Sequence, residues 1–291
     1  MNSARTLSII TITYNDPKGF ARTVESLRPL LGDRFGRAWE LIVIDASPAV
    51  NESVLALLTE ERWPLLHVES SPIGIFGSQN LGWNRSRGEY AWFLNGGDVL
   101  KDVATLLKML DTLDRDSELG LLCAGFDRAR NDVYLYGESP RHCFLFNILG
   151  ANQICHQAIL YRRRILETVG EFHVNYRLAS DYEHLFRCYI AKAKVGFIQT
   201  RLVVFDMDGM SNNHHPVYQE LKAIQRDLSK QLPRSVVIGN RMMWTYYYLR
   251  VCTLKAFAGS PAGRYLRPLW YGSKRLVATF NSKTNPGRAS L

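Results

Sequence analysis

Three carboxylates stand where an acid could do chemistry. Asp45 follows the apolar run Leu41-Ile-Val-Ile44. Asp98 follows Tyr90-Ala-Trp-Phe-Leu94 through Asn95-Gly96-Gly97. An acid at the exit of an apolar strand lies on the rim where parallel α/β sheets bind ligands. Taken singly, either acid is better accounted for as a helix N-cap or an Asx-turn than as a functional group. Asp98 is the more pointed of the two. The glycines ahead of it leave the backbone open to close approach, and Mg²⁺ or Mn²⁺ is typically held by one or two carboxylates plus substrate phosphates. Asp181 lies in Arg177-Leu-Ala-Ser-Asp-Tyr-Glu-His-Leu-Phe-Arg187, where Ser180 and Glu183 have capping-box spacing. Leu178, Tyr182, Leu185, Phe186, Tyr189 and Ile190 recur with helical period. Asp181 is therefore expected in a first helical turn, where the positive end of the helix dipole favours its charged form. On pattern alone it is an ordinary first-turn acid. His214-His215 reads as a solvated loop pair, of which at most one could reach a metal.

The elements that must position these groups follow from periodicity. Leu7-Ser-Ile-Ile-Thr-Ile-Thr13 is a strand running into Tyr14-Asn-Asp-Pro17. Phe20, Val24, Leu27 and Leu31 predict a helix after it. Leu41–Ile44, Leu65–Val68 and Tyr90–Leu94 are further strands, with helices expected around Val54–Leu58 and over Gly77–Arg87. Strands alternating with helices argue for an α/β fold with a parallel, doubly wound sheet. Three of the first four strands end in polar turns: Thr13-Tyr14-Asn15, Asp45-Ala46-Ser47 and Asn95-Gly96-Gly97-Asp98.

The chain has 291 residues, 46% hydrophobic and 22% charged, which excludes disordered, collagenous and coiled-coil classes. Its cysteines, at 123, 143, 155, 188 and 252, form no CxxC pair and read as buried or free thiols. The N-terminus shows one Arg and a short apolar run, without a signal-peptide pattern, so a cytoplasmic protein is expected. The net charge of +9 is uneven. After Asp227 there is no acid, while 11 Lys and Arg and nine aromatics follow. Cations mixed with Trp and Tyr suit an anionic membrane surface. They also suit nucleic acid, the less favoured partner, or a basic helical extension folded onto the main domain.

Four motifs carry a resemblance. Ser8-Ile-Ile-Thr-Ile-Thr-Tyr-Asn15, Glu40-Leu-Ile-Val-Ile-Asp-Ala-Ser47, Gly74-Ile-Phe-Gly-Ser-Gln-Asn-Leu-Gly82 and Gly88-Glu-Tyr-Ala-Trp-Phe-Leu-Asn-Gly-Gly-Asp98 resemble, in order and spacing, those of family 2 glycosyltransferases, bacterial exopolysaccharide and colanic-acid-type enzymes among them. The resemblance implies a GT-A fold and an inverting, metal-dependent enzyme using a nucleotide-sugar, UDP-type donor in polysaccharide or cell-envelope glycan synthesis. It implies a donor site from Thr13, Tyr14, Asn15, Asp45, Gly74, Asn80, Gly97 and Asp98, with Asp98 as ligand of a divalent Mn or Mg ion. The earlier acids of the family's metal signature are here Gly96 and Gly97, as in an Asn-x-Gly-Asp variant. It also implies Asp181 as the catalytic base, His156 and Gln157 on the acceptor side, and Asp206-Met-Asp-Gly-Met-Ser211 as a loop closing over donor and acceptor. The domain arrangement so expected is a GT-A domain over 1–213, with a donor half to 100 and an acceptor half to 213, and a basic aromatic helical extension over 214–291. The acceptor would be a saccharide or a polyprenyl-linked saccharide, met at the inner face of a membrane through residues 228–291. Two other classes stand beside this: nucleotidyl transfer on a related fold, disfavoured because no Gly-rich basic loop follows the first strand, and a non-catalytic nucleic-acid binder.

Overall fold

In the computed structural model, residues 6–47, 63–69, 72–130, 133–140, 144–149, 154–207, 214–228 and 230–239 are described, with isolated positions besides. Four apolar runs form the first strands: β1 (Leu7–Thr13), β2 (Trp39–Asp45), β3 (Leu65–Glu69) and β4 (Tyr90–Phe93). They lie parallel in the order β3-β2-β1-β4. Helix α1 (Pro17–Leu27) starts where Asp16 Oδ1 accepts the Gly19 N–H at 2.8 Å and Pro17 fills the first turn. It buries Phe20, Val24 and Leu27 and passes into a 3₁₀ turn over Arg28–Leu31. Helix α2 (Ile75–Arg85) lies on β1 and β2, with Gly82 so close that a methyl group there would drive into Ile10. The helix expected around Val54–Leu58 lies almost wholly outside the described residues.

Beyond β4 the expectation of a purely parallel sheet is corrected. β8 (Ile159–Arg162) runs antiparallel between β4 and β6 (Leu119–Arg130). β9 (Lys194–Asp206) is parallel to β6. Two short strands complete the sheet, β5 (Val99–Leu100) on β9 and β7 (Val133–Glu138) on β6, both antiparallel. A two-residue strand is invisible to period-two patterning, yet β5 decides the site. Its pairing of Val99 with Val204 carries the end of β4 to the end of β9. Around this sheet stand α3 (Val103–Arg115), capped by Asp102, α4 (Phe144–Leu149), α5 (Arg163–Val169), α6 (Ser180–Ile190) and α7 (His214–Leu228). One core joins both halves, with Ile9, Val43, Trp92, Leu106, Leu160 and Leu202 in a single buried cluster.

The chain divides into two compact units, residues 1–237 and 238–291. The first runs past 213, where the sequence suggests a boundary, because Leu221, Ile224, Leu228, Leu232 and Val236 are buried. Most of the basic segment lies outside the described residues. Among the described residues no helix is long and apolar enough to cross a membrane. Cys123, Cys155 and Cys188 are buried free thiols.

Candidate active site

The exits of β2, β1 and β4 lie side by side, as strand order requires. Thr13 and Asp45 are register partners, and the Ala46 N–H donates to the Thr13 carbonyl at 3.0 Å. Asp45 is buried, and its Oδ1 accepts the Ser47 N–H at 3.0 Å in an Asx-turn. Ser47 Oγ in turn accepts the Asn15 N–H at 2.9 Å and holds Asn15 at φ +52°, a left-handed conformation that Asn tolerates. The Tyr14 ring stands in solvent at this lip, while Thr13 Oγ1 is buried without a hydrogen-bond partner. Gly74, at φ +82°, opens α2 with open space where a side chain would be. Asn80 does something else. Its amide donates to the Phe172 carbonyl at 2.8 Å and accepts the Phe172 N–H at 2.9 Å, fastening one half of the chain to the other. Gln79, not singled out by sequence, donates to Asn95 Oδ1 at 3.0 Å and keeps a buried, unpartnered Oε1.

The second feature is the corner at Asp98. Gly97 takes φ +99° and donates its N–H to Thr23 Oγ1 at 2.9 Å, while that hydroxyl donates to the Asp98 carbonyl at 2.8 Å. The Asp98 carboxylate is buried and accepts the Asp206 N–H at 2.8 Å. The Gln157 side-chain amide also donates to it. Gln157 is itself oriented by the Cys155 thiol, which donates to its Oε1 at 3.0 Å. Placed on the acceptor side by resemblance, Gln157 is thus found against the Asp98 carboxylate. Burial pushes the Asp98 carboxyl up to about 8, against the hydrogen bond from the Asp206 backbone and with the Asp206 charge adding to the rise. Asp206, whose Oδ2 meets Arg22 Nη2 at 2.7 Å, brings a second carboxylate to this corner. Neither it nor Arg22 was legible as a site residue, apart from Asp206 opening the expected closing loop. No cluster of three or more metal-ligating side chains occurs among the described residues, and the side chains of His214 and His215 lie outside them. Neither glycine is open, since a side chain at Gly96 would meet the Ile12 carbonyl and one at Gly97 would meet Asp206. Two neighbouring carboxylates still fit the way Mg²⁺ and Mn²⁺ bind, sharing the ion with a diphosphate.

The third feature is Asp181. It sits in the first turn of α6, as its spacing predicts, but the capping box does not form. Ala179 is the N-cap, and the helix has no side-chain cap. The Ser180 hydroxyl is buried without a partner. Glu183 is drawn instead to Arg187, at 2.8 and 2.9 Å, and to His173 at 3.2 Å. A guanidinium offers that carboxylate stronger, charge-assisted bonds than a backbone N–H. Asp181 is partly exposed at the surface, yet the protein surrounding it pushes its carboxyl up to about 6 by burial, against the Tyr182 N–H that its Oδ1 accepts at 2.8 Å. Asp98 and Asp181 both bear electrostatically on the Cys155 thiol. His156 is buried and neutral. Its ring stacks on Phe93 with centroids 5.1 Å apart, its Nδ1 lies 3.2 Å from the Tyr161 hydroxyl, and burial lowers it to about 3.

Known proteins share this fold. The chain matches the profile of glycosyl transferase family 2 over residues 8–173, more than half its length. It is 27% identical over 254 residues to an uncharacterized glycosyltransferase of Mycobacterium tuberculosis, covering 86% of this chain and 92% of that one. It is 25% identical over 248 residues to a PGL/p-HBAD biosynthesis glycosyltransferase of Mycobacterium bovis, covering 83% and 89%. Among solved structures, S. aureus TarS 1–349 superposes with a TM-score of 0.64 at 14% identity, covering 88% of this chain and 75% of that one. The mannosyltransferase PcManGT from Pyrobaculum calidifontis, in complex with GDP-Man and Mn²⁺, superposes with a TM-score of 0.62 at 14% identity, covering 95% and 81%. The chain belongs to glycosyl transferase family 2 and has the GT-A fold.

Proposed function

We propose that this protein transfers a sugar from a nucleotide-sugar, of UDP type, to a saccharide or lipid-linked saccharide acceptor with inversion at the anomeric carbon, in polysaccharide or cell-envelope glycan synthesis. The observation that carries this reading is the corner after β4, where the buried Asp98 carboxylate meets the end of β9 at Asp206, together with Asp181 in the first turn of α6. The division of labour follows from their surroundings. Asp98, buried and next to Asp206, suits a divalent cation shared with the donor's diphosphate. Such a cation, when bound, supplies charge stabilisation to the departing nucleotide. Asp181, partly open to solvent and set near neutrality, suits removal of the acceptor hydroxyl's proton as that oxygen attacks from the face opposite the nucleotide. Thr13, Tyr14, Asn15, Asp45 and Gly74 would line the nucleobase and ribose side. Asp45 keeps its second oxygen for a uracil-type N–H, since Oδ1 is held by Ser47.

Relatives support the substrate classes. TarS has been solved with UDP-GlcNAc, and the M. bovis relative is named for PGL/p-HBAD biosynthesis. The test is a screen of UDP-GlcNAc, UDP-glucose, UDP-galactose and GDP-mannose with Mn²⁺ against glycan and glycolipid acceptors. Released nucleoside diphosphate and a product of inverted configuration are expected. Release of pyrophosphate would indicate nucleotidyl transfer instead, and retained configuration would remove Asp181 as base.

A further inference from the structure

Helix α7 reaches the base helix with two carboxylates. Glu220 Oε1 accepts the Arg177 N–H at 2.8 Å, and its Oε2 accepts those of Leu178 and Ala179 at 2.8 and 3.0 Å. Two turns further along α7, Asp227 Oδ2 accepts the Tyr176 hydroxyl at 2.7 Å. Residues 176–179 are therefore a strap tied to α7 at four consecutive positions. The strap ends on Ala179, the N-cap of α6, two residues before Asp181. The first turn of α6 does not need this carboxylate for its own bonding. The Glu183 N–H donates to the Ala179 carbonyl, and the Tyr182 N–H donates to Asp181 itself.

We propose that Glu220 is a positioning residue for glycosyl transfer, holding the strap so that Asp181 projects from α6 in its reactive orientation. The proposal rests on the reading of Asp181 as the base. Three N–H groups on one carboxylate fix the direction in which the chain enters the helix, and that entry sets the first-turn side chains. Glu220 also faces Asp181 with its own charge, which favours the protonated carboxyl. The other titratable groups around Asp181 exert little opposing field. Cys155 and Tyr161 are neutral because burial raises both, His184 is neutral because burial lowers it to about 3, and Glu183 is paired with Arg187.

The test uses the full chain with the same donor panel and Mn²⁺, reading released nucleoside diphosphate. Glu220→Ala and Glu220→Gln are made alone and in an Asp181→Asn background. Glu220→Ala should lower kcat about ten- to hundredfold with donor KM unchanged, the scale of a misplaced catalytic group. Glu220→Gln keeps one acceptor oxygen and should lose less. It should also move the acid limb of the kcat profile to lower pH, because removing a negative neighbour lowers the pKa of the base. In the Asp181→Asn background, Glu220→Ala should change the residual rate by less than twofold. An equal loss in both backgrounds would overturn the proposal, as would an unchanged rate in Glu220→Ala or an unmoved acid limb in Glu220→Gln. The glutamine variant decides the matter if the alanine variant does not fold. Full activity in Asp181→Asn would refute the base itself, a failure separate from that of Glu220.

Discussion

Replacing Asp181 by Asn should raise stability while destroying turnover, and the size of the first effect follows from where the carboxyl sits. In the folded chain burial pushes the carboxyl up to about 6, from the 3.8 of an exposed aspartate. The native state therefore binds the proton more tightly than the unfolded chain. Stability from this group is fully present below pH 3.8 and is lost as pH rises through 6. A difference of about two pH units at 1.36 kcal/mol each puts the loss at about 3 kcal/mol by pH 8. Asn carries no charge, and its Oδ1 can still accept the Tyr182 N–H, so the variant escapes the loss. Urea unfolding of both proteins at pH 4 and pH 8 reads the effect as a stability gap that is small at pH 4 and grows toward about 3 kcal/mol at pH 8. Turnover in the variant should fall by about 10²–10⁴ with donor affinity unchanged. A gap independent of pH would refute the account of a carboxyl raised by burial. A variant that kept the parent rate would refute the role assigned to it.

Other expectations follow from single residues. Asp98→Ala should abolish Mn²⁺-dependent donor binding in calorimetry while circular dichroism stays native, and parental donor turnover would sink the metal assignment. Asn80→Ala should leave donor Kd unchanged yet cost about 2–4 kcal/mol in stability, since a buried N–H and a buried carbonyl of Phe172 lose their partner. A changed Kd at native stability would return Asn80 to the donor site. Gly82→Ala should destabilise by about 1–3 kcal/mol in thermal unfolding, because an added methyl would overlap the Ile10 side chain and crowd Ile44. A chain ending at Val237, which keeps the buried Leu228, Leu232 and Val236, should still bind donor but no longer sediment with anionic liposomes. If the full-length protein ignored such liposomes at low salt, the basic segment would be a packing element.

What was legible in the sequence was local. β1, β2 and β4 announce themselves because each is an apolar run closed by a turn, and Asp45 and Asp98 could be placed on one rim from those runs alone. Asp181 was placed in a first turn by the period of α6. The partners of these acids were hidden, because they come from pairings far along the chain. Asp206 meets Asp98 through the Val99–Val204 register, and nothing in a two-residue strand signals that pairing. Gln157 reads as a neighbour of His156, yet a Cys155 thiol turns it to Asp98. The capping box at Ser180 was a sound local pattern defeated by a stronger local pair, Glu183 with Arg187. Glu220 carries no signal at all, since a glutamate on an amphipathic helix is what any solvated face shows.

The stitching of β4 to β9 bears on how this protein comes to be made. Asp98 meets the Asp206 backbone across 108 positions, and Arg22 meets the Asp206 side chain across 184. Closing loops of that length costs entropy before any contact rewards it, so such pairings form late. During synthesis the N-terminal half can build its parallel strands early, but the corner at Asp98 stays open until the chain past residue 206 has emerged. A fragment ending near residue 150 would then be a Rossmann-like sheet without competence for catalysis. Exchange of that half between relatives as an independent cassette would fail unless the matching end of β9 travelled with it.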